Sequence, residues 1–174
     1  MARKTPRLER TAYHEAGHAV AAFLTRRRVL SVTIIPDEDA GSLGHNRYGV
    51  LPNIHPDYEI DSRTARVIER EIVVSLAGWA AEARLGASAR REASYLGDDD
   101  WHKAYDLATY VTGSPEEMEA YVNWLWVRAK YMIALPPQWA AVKGLASDLL
   151  ERRRIGGRRV REVIKAAMRR GGPR

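Results

Sequence analysis

Apolar residues recur at helical spacing through most of this chain. Leu8, Ala12, Ala16, Val20, Phe23 and Leu24 fall along one side of a helix that the spacing predicts over about 5–26. Thr5 is placed to cap it, and Pro6 suits its first turn, where a missing N–H costs nothing. The period then changes: "RVLSVTII" (28–35) is rich in β-branched residues and reads as a strand stopped by Pro36. The Gly-, Pro- and Asp-rich stretch 36–59 reads as loop, with a short second strand around 48–51.

Helical spacing returns over about 60–85, with Asp61 or Ser62 as cap and Gly86 as stop. It returns again from Asp98–Asp100 to about Val111. A strong start follows at Ser114 and Pro115, with two glutamates behind them. Met118, Tyr121, Val122, Leu125, Ala129, Met132 and Ile133 form that helix's apolar stripe. Trp124, Trp126 and Tyr131 lie beside it and read as core, although Trp126 falls off the stripe and also marks a candidate subunit contact. A further helix starts after Pro136 and Pro137, and Gly156 and Gly157 break the chain before a last one. The fold class expected is mainly α, one domain over 1–174 with a small β element near the N-terminus and loose ends at about 1–5 and 169–174.

Composition narrows the chemistry. The 174 residues include no cysteine, so disulfides and thiolate metal ligands are excluded. No apolar run reaches bilayer length, and "MARKTPRLER" lacks the features of a signal peptide, so a cytoplasmic location is expected. The net charge is +6, and much of the excess sits in "ERRRIGGRRVREVIKAAMRRGGPR". No aromatic residue interleaves with those arginines, so they read as a solvated helix face rather than a nucleic-acid platform.

One stretch breaks the packing logic. "YHEAGHAV" sets His14, Glu15 and His18 in an otherwise apolar helix, where unpaired ionisable groups are costly. Residues four apart lie roughly 40° apart around a helix, so both imidazoles can reach one divalent ion. Glu15 stands to the side, as a base acting on water should. Ala21, Ala22 and Thr25 continue the histidine side and are small, which leaves space for a ligand. A core histidine is the plainer reading of either imidazole alone; the spacing of the two favours a metal. A catalytic zinc usually takes three protein ligands. Spacing alone leaves the third open among Glu82, Asp98, Asp99 and Asp100, with His102 and Asp106 behind them. His45 and His55 read as solvated loop residues.

"TAYHEAGHAVAAFL" resembles the active-site helix of FtsH-type ATP-dependent zinc metalloproteases. "VLSVTIIP" with "GSLGHNRYGVLP", "EIVVSLAGWAAEARLGA", "GDDDWHKAYDLATYV" and "WAAVKGLASDLLERRRIGGRRVREVI" are similar to further segments of that family, so the resemblance runs from about Thr5 to Ile164. It implies a helical, zincin-like peptidase domain that holds Zn2+ through His14, His18 and Asp100, with Glu15 as general base. Asp99 stays one register away, and Glu82 becomes a supporting residue. It also implies that residues 30–35 form an edge strand for an extended peptide, with Val32, Ile34 and Gly44 as substrate contacts. The chain departs from the family in having no G-x-x-x-x-G-K-[ST] phosphate loop and no spanning segment. The segment 110–135 also departs from it, so the family's ring is not implied. The expected activity is a stand-alone zinc endopeptidase acting on peptides or unfolded proteins, with a separate ATPase or further copies of itself as partners. The rival is a catalytically silent relative that serves as a protein-interaction module.

Overall fold

The computed structural model describes residues 7–36, 43–50, 60–86 and 99–170. Among them are six helices and three short strands. The order is α1 (Arg7–Leu24), β1 (Val29–Thr33), β2 (His45–Tyr48), α2 (Ser62–Arg84), α3 (Asp99–Ala108), α4 (Pro115–Ala134), α5 (Pro136–Arg152), β3 (Arg154–Gly156) and α6 (Gly157–Arg170). The architecture is mainly helical with a small antiparallel sheet. No described helix is long and apolar enough to cross a membrane.

The helix starts follow local chemistry. Asp61 accepts from the Thr64 N–H at 2.6 Å and opens α2. Ser114 accepts from the Glu117 N–H at 3.1 Å, while Pro115 takes the position where no N–H is needed. Gly86, at φ +95°, lies just past the end of α2, a backbone state that glycine enters without Cβ strain. Thr5, Pro6 and the far end 171–174 lie outside the described residues. Arg169 and Arg170, expected to be loose, form the last turn of α6.

α1 is the central helix and packs against α2 and α5. Its expected division into a core face and an open face fails. Ala21 and Ala22 are fully buried with Ala12, Ala16, Ala19 and Val20, whereas Leu8 is exposed. The small side chains of Ala21 and Ala22 let neighbouring elements close on α1, so no ligand space opens at that end of the helix. Gly17 is the tightest point: a Cβ there would run into the Ala77 carbonyl oxygen of α2.

The sheet order is β2-β1-β3, so β1 is its middle strand. Val32 faces Asn46 on one side and Ile155 on the other. The expected free edge at residues 30–35 is therefore taken on both sides, and Val32 and Ile34 are core residues at 0% and 1% exposure. The second strand lies at His45–Tyr48 rather than 48–51, and β3 was not foreseen. Of the three α4 aromatics expected in the core, one is there and two are not. Trp126 is buried with its ring centroid 5.5 Å from that of Trp101, whereas Trp124 and Tyr131 are exposed.

Candidate metal centre

The crossing of α1 and α2 builds the site. His14 and His18 project from α1 towards α2, and α3 brings Asp100 over them. His14 Nε2 and His18 Nε2 lie 2.9 and 3.1 Å from the same oxygen, Asp100 Oδ2, and 2.9 Å from each other. Tetrahedral ligands with zinc bonds of about 2.0–2.1 Å stand about 3.3 Å apart, close to this spacing. His14, His18 and Asp100 thus form a group that could hold a metal ion. Asp99 is exposed on the first turn of α3 and lies outside the group. Asp98 lies outside the described residues, and His102 and Asp106 are not members.

The opposite ring nitrogens explain why these two point inward. His14 Nδ1 is 2.8 Å from Glu82 Oε1, and His18 Nδ1 is 2.7 Å from the Val74 carbonyl oxygen. A carbonyl can only accept, and a carboxylate does so here, so each Nδ1–H donates and each Nε2 is left facing the other and Asp100. Two unprotonated Nε2 atoms at this distance repel, so a proton or a metal cation belongs between them. Glu82 is fixed in turn by Arg10, whose Nη2 donates to Oε2 at 2.9 Å.

Space is also reserved. A Cβ on Gly78 of α2 would come within 2.5 Å of His18 Nε2 and 2.6 Å of His14 Nε2, so only glycine lets the rings occupy this point. A cavity of about 620 Å³ opens over the group, with Glu15, Gly44, Asn46, Tyr48 and Trp79 among its walls. The donor set, the oriented rings and the glycine cradle all fit a bound metal.

The charges reinforce one another. Burial opposes a proton on His14, yet hydrogen bonds to Asp100 and Glu82 outweigh it and push the imidazole up to about 10. Burial opposes the charge on His18 as well, and Asp100 still raises it. Burial alone would lift Asp100, but the two imidazoles hold it well below the usual carboxylate range. Glu15 is raised chiefly by burial, against the pull of His18, His14 and the Asn46 amide. A buried carboxyl shifted upward beside a metal group is suited to carry a proton.

Of the other expected site residues, Gly44 lines the cavity and leaves no room for a side chain beside Glu15. Val32 and Ile34 are not among the cavity walls. His45 is exposed at the rim, and His55 lies outside the described residues. Sequence reasoning missed Gly78, Asn46 and the role of Val74. The signal for Gly78 was a lone glycine inside the helical pattern "SLAGWAAE". Asn46 was hidden in a stretch assigned to loop, and a backbone carbonyl such as that of Val74 leaves no trace in side-chain identity. Compared with known proteins, the chain matches no family model and no curated sequence.

Proposed function

We propose that this protein is a zinc-dependent endopeptidase that hydrolyses peptides or unfolded chains, a zincin-like domain similar to FtsH-type peptidases. The observation that carries the reading is the convergence of His14 Nε2, His18 Nε2 and Asp100 Oδ2, with Glu15 beside them and both Nδ1 atoms held by acceptors. His14, His18 and Asp100 would hold the ion. When bound, zinc supplies a Lewis acid that lowers the pKa of water to about 7 and polarises the scissile carbonyl.

The chain's own residues do the rest. Glu82 and the Val74 carbonyl keep the two imidazoles in the tautomer that presents Nε2. Glu15 takes a proton from the attacking water as its oxygen bonds to the carbonyl carbon. It then gives that proton to the amine as the C–N bond breaks, and returns to its starting state. The cavity above Glu15 gives an extended segment access. A separate ATPase would supply unfolding where the substrate is folded.

The test is metal content and cleavage on the same sample. The wild-type chain is expected to hold one zinc and to cut casein or a flexible quenched peptide. Glu15→Gln should keep the zinc and lose activity by about 100-fold or more. Asp100→Asn should lose zinc, and Asp99→Asn should not. A zinc-loaded wild-type chain without cleavage would favour the interaction-module reading instead.

A further inference from the structure

β2 alternates: His45 and Arg47 are exposed, while Asn46 and Tyr48 turn inward. Asn46 pairs with Val32 of the middle strand, which sets its height above α1. From there its Nδ2 donates twice to one residue, to Glu15 Oε2 at 2.6 Å and to the Glu15 carbonyl oxygen at 3.1 Å. The bond to the main chain fixes the amide, and the amide then fixes the carboxylate relative to its own backbone. Gly44 closes the other side, where a Cβ would come within 3.0 Å of Glu15 Cγ and Oε1. The carboxylate is bracketed.

Stability alone does not account for this arrangement. Turning Nδ2 towards two oxygens leaves Asn46 Oδ1 buried with no hydrogen-bond partner among the described residues. An unpaired buried carbonyl oxygen is costly, and an apolar side chain at position 46 would avoid that cost.

We propose that Asn46 is a positioning residue for Glu15, holding its carboxylate aimed into the cavity beside His14 and His18. The inference rests on the peptidase reading. A base already in place needs no reorganisation as the proton moves, whereas a free glutamate can rotate to other staggered positions. Both side-chain hydrogen bonds of Asn46 among the described residues go to Glu15, so its loss should leave zinc binding unchanged.

The experiment uses the full chain loaded with zinc and a quenched peptide. Asn46→Ala is expected to keep one zinc per chain, to lower kcat by about 30-fold and to hold KM within about threefold, because misplacement of a reacting group by an ångström has effects of that order. In a Glu15→Gln background the same change should cost nothing more. A raised KM with kcat kept, loss of zinc, or losses that multiply would overturn the proposal. A second readout does not need activity. In 15N-labelled zinc-loaded protein, the Asn46 side-chain amide signals should stand apart from those of solvated asparagines and move towards them in Glu15→Ala. If the wild-type chain cleaves nothing, the peptidase reading fails and this signal alone judges the bracket. An amide that Glu15→Ala leaves unmoved overturns it.

Discussion

Gly78 lies directly against His18: a Cβ on the glycine would sit 2.5 Å from the imidazole Nε2. The close approach ties the α1–α2 crossing to the metal group. Gly78→Ala should therefore displace both rings, since His14 Nε2 would be only 2.6 Å away. Zinc affinity is expected to fall at least tenfold, while far-ultraviolet dichroism keeps its helical signature. A chelator-competition titration measures this, and an unchanged zinc affinity would count against the cradle.

Glu82 holds His14 through Nδ1 without belonging to the candidate ligand group. Loss of such a partner typically weakens a metal site about 10- to 100-fold. Glu82→Ala should show that loss in the same titration. It should also lower the melting temperature, because it leaves Arg10 without this carboxylate.

A proton and the proposed metal would compete for His14. Its raised pKa means that the metal-free protein gains stability from the protonated imidazole, a gain fully present below about 6.5 and lost as pH rises through about 10. On the proposed function zinc has to displace that proton, so apparent zinc affinity should rise with pH across the same window, by about tenfold per unit for one proton. Melting curves of chelator-treated and zinc-loaded protein should therefore diverge from pH 7 to pH 9. A flat metal-free curve would mean that His14 carries no such proton.

The two tryptophans on α4 should behave oppositely. Trp126 is 4% exposed and packs on Trp101, so Trp126→Ala should cost about 3–5 kcal/mol in denaturant unfolding. Trp124 is 49% exposed, with Arg128 stacked over its ring, so Trp124→Ala should cost about 0.5 kcal/mol.

The parts legible in the sequence are those set by local rules. Ser114 with Pro115, and Asp61, announce their helices because capping needs only neighbours a few residues away. His14 and His18 are readable as a pair because one helical turn brings them together. What stayed hidden depends on distant partners. Arg154–Gly156 is a strand only because β1 lies beside it, and nothing in "RIG" demands extension. Val32 reads as an edge residue in the sequence, because sequence does not show how many strands flank it. Trp124 and Trp126 are two residues apart on α4, and which of them turns inward was decided by Trp101 of α3, not by the stripe on their own helix.

The strand order has a bearing on when the protein can work. Residues 44 and 46, which bracket Glu15, border and sit on a strand whose neighbour β1 is in turn held by Arg154–Gly156, more than a hundred residues further along the chain. A chain still threading through the ribosome, cut off before that point, has Val29–Thr33 supported on one flank only. The bracket around Glu15 should thus wait until residues 154–156 have emerged, and removal of that strand and the helix behind it should disturb a centre encoded more than a hundred positions upstream.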